Sequence, residues 1–323
     1  MGQYFASTLR IVPYSHFQFG LGSMGIGMSE NLQTCLGRQG LPPLRFSNRS
    51  LDKGKSLEAL GAESVADFPS LVQQSDIIFT MISNDEVLHS LVDEALAVGD
   101  LEHKIFVDTS TVHPETSKKV AAKLAEKKAI FVASPVFGAS QMAASGQLIF
   151  AMAGPSQAIE KIRPYVIGVM AKQIIDCGED VSRSSLLKIT GNIMVIGLQE
   201  LISEVQVFAE KTGLGTETAE EFIGSMFGPV LSSYSKRLTS GSYAPPHDKS
   251  PGFAVSLSIK DSKHALSIAS EAGMRVPAIE LALSHMLNAR NYAGENLDSS
   301  SVYGTLRVEG GLPFWSANSR QGI

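Results

Sequence analysis

Gly20-Leu21-Gly22-Ser23-Met24-Gly25 has the spacing GxGxxG. In that pattern the first glycine permits a tight turn, the second lets backbone approach a pyrophosphate, and the third lets a helix pack closely on a strand. A helix opening there would offer unpaired N–H groups and partial positive charge to phosphates. About 20 residues further on, where a carboxylate would accept bonds from a ribose 2′-hydroxyl, the chain reads Ser47-Asn48-Arg49-Ser50. Arg49 with the side chains of Asn48 and Ser50 suits a 2′-phosphate through charge-assisted hydrogen bonds. NADP(H) is therefore the expected cofactor and NAD(H) the alternative. The plainer reading makes Arg49 a solvated loop cation and Ser50 a helix cap.

A second group lies in the other half of the chain. Lys188 and Asn192 are four residues apart in a segment that reads as helix, so both project from one face. The neighbours Leu186, Leu187 and Ile189 are apolar, as expected of a mostly covered helix. Ser110 and Thr111 follow a strand, where α/β sheets bind ligands, and their hydroxyls could hold a carboxylate and the nicotinamide side of a cofactor. Ordinary turn chemistry before the Pro114 helix is the competing reading.

These residues need elements to position them. From 16 to 180, short β-branched runs alternate with helix-length segments, the signature of a parallel sheet built from βαβ units. The expected strands are Phe17–Phe19, Leu44–Ser47, Asp76–Ile82, Ile105–Asp108, Ile130–Ala133, Leu148–Ala153 and Gln173–Ile175. Helices are expected at Met24–Gln39, stopped by Gly40, at Leu51–Leu60, stopped by Gly61, and at Pro114–Lys127. Beyond 180 the texture is helical: Ser184–Thr212 without an internal proline, then Thr216–Phe227, Pro229–Leu238, Phe253–Ala272 and Pro277–Asn291. The expected fold class is an α/β N-terminal domain over 16–180 followed by an all-α C-terminal domain over 181–311, with 1–15 and 312–323 as flexible ends.

Composition excludes other classes. The 323 residues carry a net charge of −5, so no basic excess favours nucleic acid. The longest apolar runs fall short of the roughly 20 residues of a membrane span. Cys35 and Cys177 form no CxxC pair, and the seven histidines show no metal-ligand spacing, so neither a disulfide framework nor a metal is expected. A reduced, cytoplasmic setting fits, with a mitochondrial leader weakly suggested by a start free of Asp and Glu. No GxSxG supports a hydrolase.

In these motifs and their order the sequence resembles the β-hydroxyacid dehydrogenase family, which includes 3-hydroxyisobutyrate dehydrogenase and is related to 6-phosphogluconate dehydrogenase. Gly20–Gly25 with Met28 and Asn31-Leu32 resembles the family's cofactor turn and helix, and Met81-Ile82-Ser83-Asn84-Asp85 the loop along the cofactor. Asp108-Thr109-Ser110-Thr111-Val112-His113-Pro114 is similar to its substrate-side signature, and Pro135-Val136-Phe137-Gly138-Ala139 to its glycine-rich substrate loop. Lys188 with Asn192 matches the catalytic pair, and Lys260-Asp261 a pair in the helical domain.

The resemblance implies a Rossmann-type cofactor domain, a helical domain that also dimerises, and hydride exchange between nicotinamide and a small β-hydroxyacid, semialdehyde or keto acid. It makes Lys188 the general acid/base, Asn192 an orienting group, Met81, Ile82, Asn84, Thr111 and Lys260 cofactor contacts, and Ser110, Thr111, Phe137, Gly138 and Ala139 substrate contacts. Two departures stand out. Phe137-Gly138-Ala139 replaces the family's common Ser-Gly-Gly, which weakens polar anchoring and favours a larger or more apolar substrate. Ser182 and Ser184 stand where glycine is frequent. The alternatives are an imine reductase, and a catalytically silent NADP-binding regulatory protein.

Overall fold

The computed structural model describes residues 14–320. These divide into two compact units, one reaching Lys188 and one beginning at Ile189. The division falls inside one helix rather than at the expected 180.

In the first unit, strands β1 (His16–Phe19), β2 (Arg45–Ser47), β3 (Glu63–Ser64), β4 (Ile77–Thr80), β5 (Ile105–Asp108) and β6 (Ile130–Ala133) form one sheet in the order β3-β2-β1-β4-β5-β6. All its pairings are parallel. Period-two alternation divides the side chains between two buried layers. Ile77, Phe79, Ile105, Val107 and Val132 face one layer, while Ile78, Phe106 and Phe131 face the other. Helix α1 (Gly25–Arg38) contributes Met28, Leu32 and Leu36 to the first layer, and α3 (Phe68–Gln73), α4 (Asp85–Leu96) and α5 (Pro114–Ala125) line the second.

The structure corrects three expectations here. The run at 51–60 is a short 3₁₀ turn, Leu51–Gly54, followed by α2 (Lys55–Ala59), not one helix. Leu148–Ala153 and Gln173–Ile175 do not extend the parallel sheet. They become β8 (Leu148–Met152) and β9 (Ala171–Asp176) of a separate three-stranded sheet with β7 (Val136–Phe137), which pairs antiparallel to β8. Pro135 breaks the strand ahead of β7 by lacking an N–H. Helices α6 (Ser140–Ala144) and α7 (Ser156–Val166) complete the layer.

His16 is an unusual core residue. It is fully buried in β1, neither ring nitrogen has a hydrogen-bond partner among the described residues, and its ring lies 3.8 Å from that of Tyr165. Burial pushes its pKa down to about 4 from 6.5, partly opposed by Asp76. The folded protein therefore holds His16 neutral while the unfolded chain protonates it, so stability present above pH 6.5 is lost as pH falls towards about 4. The full shift corresponds to about 3 kcal/mol. Urea unfolding followed from about pH 7 to about pH 4 should show His16→Leu losing less stability than the parent by that order. Parallel losses would contradict it.

The second unit is helical. Helix α8 (Ser182–Thr212) carries the chain into it, followed by α9 (Thr216–Thr239), α10 (Val255–Glu271), α11 (Pro277–Ala293) and α12 (Val302–Glu309). The two helices expected at 216–238 meet across a kink, because Gly228 has φ 81° and Pro229 follows it. Ile189, Ile196, Ile202, Ile259, Ile279, Met286 and Tyr303 form its core. Residues 312–320, expected as a flexible end, are packed: Tyr243 donates to the Phe314 carbonyl at 2.7 Å, and the Arg320 guanidinium donates to the carbonyls of Pro245, Asn296 and Ala293. Residues 1–13, most of the other expected flexible end, lie outside the described residues. Among those described, α8 is long and apolar enough by length and composition to cross a membrane, contrary to the reading of short apolar runs. Its apolar residues divide between the buried Ile189, Ile196 and Ile202 and the exposed Met194, Leu201, Val205 and Phe208.

Candidate active site

The strand order reverses between β1 and β4, and α/β sheets bind ligands beyond the carboxyl ends of the strands at such a point. The glycine turn leaves β1 there. Gly20 has φ +95°, and a Cβ on it would stand 2.1 Å from the Met81 carbonyl oxygen. A Cβ on Gly25 would meet the Gly20 carbonyl oxygen at 2.0 Å, whereas one on Gly22 would meet nothing within 4 Å. The first and third glycines therefore close the turn against β4 and itself, and the second faces open space. Leu21 is buried, and Ser23 is exposed. Met24 precedes α1 with no side-chain cap, so the first-turn N–H groups are not claimed by a local side chain. This cradle fits a dinucleotide pyrophosphate.

The residues after β2 separate in role. The Asn48 side chain accepts from Leu21 N at 3.0 Å and donates to the Ser50 carbonyl at 2.9 Å, so it shapes the glycine turn. Ser50 precedes the 3₁₀ turn without making a side-chain cap, which removes the plainer reading of that residue. Arg49 is exposed and makes no ion pair among the described residues.

Beyond β4 and β5 two loops are sewn together. Asp108, 2% exposed, accepts at Oδ1 from Thr80 Oγ1 and Ser110 Oγ, each at 2.7 Å. Ser110 Oγ in turn accepts from Ile82 N at 2.8 Å, and Asp85 Oδ1 accepts from His113 N at 2.8 Å. Asn84 caps α4 by accepting from Val87 N at 3.0 Å. Asn84 and Ser110, expected as ligand contacts, thus spend hydrogen bonds on the loops themselves. Met81, Ile82 and Thr111 are half-buried beside them. Burial raises the Asp108 pKa to about 6; bonds from Ser110 and Thr80 oppose the shift and Asp85 adds to it.

β7 carries the remaining loop. Gly138 has φ +134°, and Ala139 precedes α6. Phe137 is half-buried, and Lys188 Nζ lies 4.7 Å from its ring centroid, a cation–π distance. Serine hydroxyls anchor the start of α8 beneath this pair. Ser184 Oγ donates to the Ala133 carbonyl at 3.1 Å, and Ser185 Oγ lies 2.8 Å from Ser117 Oγ. Of the two serines that stand where glycine is frequent, Ser184 therefore ties the helix to β6, while Ser182 Oγ donates to Asp180 Oδ1 at 2.7 Å. Four residues beyond Lys188, Asn192 is buried and donates to Asp261 Oδ2 at 2.6 Å, while Lys260 Nζ meets Asp261 Oδ1 at 2.8 Å.

The structure thus brings the glycine turn, Met81, Ile82, Ser110, Thr111, Phe137, Gly138, Ala139 and Lys188 into one unit, and Asn192 and Lys260 together in the other. Sequence reasoning quoted Asp108 and Asp261 in motifs without giving them a role. The signal was a carboxylate at each motif's edge beside the expected ligand group.

Residues 17–178 match the family model for the NAD binding domain of 6-phosphogluconate dehydrogenase, and residues 183–306 that for the NAD-binding region of NADP-dependent 3-hydroxyisobutyrate dehydrogenase. An NADH-dependent oxidoreductase of Aspergillus ustus, ucdB, is 32% identical over 296 residues, covering 90% of this chain and 98% of that one. The solved 3-hydroxyisobutyrate dehydrogenase of Mycobacterium tuberculosis with L-serine superimposes with TM-score 0.76 at 25% identity, covering 92% and 100%. An imine reductase from Pseudomonas sp. is similar in fold alone, with TM-score 0.60 and 16% identity over 91% of this chain and 100% of that one.

Proposed function

The chain belongs to the β-hydroxyacid dehydrogenase family of nicotinamide-dependent oxidoreductases, and we propose that it interconverts a small β-hydroxyacid with its semialdehyde or keto acid, preferring NADP(H), with Lys188 as the proton-transferring group. The observation that carries this reading is the place of Lys188: half-buried, in the same unit as the glycine turn, its Nζ 4.7 Å from Phe137 of the loop that resembles the family's substrate loop.

The nicotinamide supplies or accepts the hydride. Reduction of a carbonyl leaves negative charge on its oxygen, and the Lys188 ammonium is suited to stabilise that charge and deliver a proton to it. In the oxidative direction its neutral amine takes the hydroxyl proton. Asn192 has no titration in the working range; with its amide nitrogen held by Asp261, it orients rather than transfers protons. Phe137 excludes water beside the ammonium and offers an apolar wall where the family has a hydroxyl, which favours a substrate with more hydrocarbon.

The preference for the 2′-phosphate rests on exposed Arg49 and the absence of a carboxylate among residues 47–50 at the end of β2. Arg49→Ala should weaken NADPH binding by about 10- to 100-fold, the loss of a charge-assisted bond, and leave NADH nearly unchanged. Equal losses would refute the assignment. The relative named as NADH-dependent makes this comparison informative.

Met194, Leu201, Val205 and Phe208 recur at seven, four and three residues along α8 and are 65%, 54%, 37% and 66% exposed. That spacing makes one apolar stripe, and a second copy of the chain is its expected cover. Light scattering should return twice the 34.5 kDa chain mass; a single-chain mass would refute pairing.

Imine reduction is the second reading, favoured by Phe137 in place of a polar residue. An imine already protonated by solvent would take the hydride without a proton from Lys188.

A further inference from the structure

We propose that binding of a carboxylate substrate is coupled to uptake of one proton by Asp108, which reverses the Asp108–Ser110 hydrogen bond and leaves the Ser110 O–H to donate a hydrogen bond to the substrate. The inference rests on the functional reading above together with the expectation that the Ser110 hydroxyl holds the substrate carboxylate.

The argument is an inventory of protons. A serine hydroxyl has one hydrogen and two lone pairs. Ser110 Oγ gives its hydrogen to Asp108 Oδ1 at 2.7 Å and uses one lone pair on Ile82 N–H at 2.8 Å. With Asp108 ionised, what Ser110 can still offer a ligand is a lone pair, which repels a carboxylate. If Asp108 Oδ1 takes a proton from solvent, it donates to Ser110 Oγ over the same distance and still accepts from Thr80 Oγ1 at 2.7 Å. The Ser110 O–H, no longer engaged by Asp108, can then turn to the substrate, with Ser110 itself 2% exposed. Its bond to Ile82 N–H survives, so the loops stay joined. Protonation also removes a buried negative charge from beside an arriving one, so the two events favour each other.

The surroundings support the exchange. Asp108 is 2% exposed, and burial raises its pKa to about 6. β4 presents neutral Thr80, and Ser134 beyond β6 donates its backbone N–H to the Asp108 carbonyl at 2.7 Å. The charged side chain bearing on Asp108 is Asp85 at the start of α4, itself bonded to the N–H of His113, the titratable cap of α5.

The test is calorimetry of 3-hydroxyisobutyrate binding to the full chain loaded with NADPH, where no turnover occurs, at about pH 7 in two buffers of different ionisation enthalpy. Uptake approaching one proton per site is expected for the parent and none for Asp108→Asn, whose amide donates to Ser110 permanently. The methyl ester, lacking the charge, should bind without uptake. Thr80→Val, which removes a donor that favours the ionised form, should shift the pH dependence of the dissociation constant upward and serves if Asp108→Asn fails to fold. Binding without proton uptake in the parent, or the same uptake in Asp108→Asn, would overturn the inference while leaving the enzyme reading intact. Failure of the parent to bind or turn over any β-hydroxyacid would overturn that reading and this inference with it.

Discussion

Lys188→Ala is expected to lower kcat by about 10²–10⁴-fold, the usual contribution of a positioned acid/base group, while changing cofactor affinity and melting temperature little. The side chain is half-buried and packs its ammonium on Phe137, so truncation removes a cation–π contact worth about 1 kcal/mol without opening a core cavity. The start of α8 is held independently by Ser184 and Ser185. Lys188→Arg separates the electrostatic role from the protonic one. Arginine keeps the positive charge but does not release a proton in a protein, so it should remain within about tenfold of alanine. An arginine variant with near-parental kcat would show that charge alone suffices. Loss of folding in either variant would assign Lys188 to structure.

The second large effect separates two glycines of one motif. Gly22→Val should weaken nicotinamide cofactor binding by on the order of 10²-fold or more, because a side chain there stands where the pyrophosphate meets backbone N–H groups, each such bond being worth about 1.5–3 kcal/mol. Its Cβ meets no atom of the described residues within 4 Å, so the melting temperature should hardly change. Gly20→Ala should behave oppositely. At φ +95° with a Cβ 2.1 Å from the Met81 carbonyl oxygen, it forces β1 and the loop after β4 apart and should destabilise the fold itself. Fluorescence titration with NADPH, beside thermal melts of both variants, reads the contrast. If Gly22→Val binds cofactor normally, the turn does not hold the pyrophosphate.

What was legible in the sequence follows from local physics. GxGxxG between a β-branched run and a helix, proline starting α5, glycine at helix ends and the Gly228-Pro229 kink are all determined by neighbours along the chain. What was not legible depends on partners distant in sequence. Two strands alike in composition to the rest joined a separate sheet, because Pro135 and the antiparallel β7 redirect the chain. The last residues pack because Phe314 and Arg320 find Tyr243 and the carbonyls of other segments. For the site, types and order singled out Lys188, Ser110 and Arg49 as candidates, yet spacing carries no hydrogen-bond direction. It could not show that Asn48 and Asn84 hold backbone, that Ser110 gives its proton to Asp108, or that Asp261 bridges Asn192 and Lys260.

One lysine in a nicotinamide-binding unit is expected to transfer the proton in hydroxyacid and carbonyl interconversion. The most direct measurement is NADPH oxidation by the parent and Lys188→Ala across semialdehydes, 2-keto acids and cyclic imines. Turnover of a semialdehyde or keto acid that Lys188→Ala loses is the expected result. Turnover confined to imines and retained in Lys188→Ala, or cofactor binding without oxidation of any substrate, would contradict it.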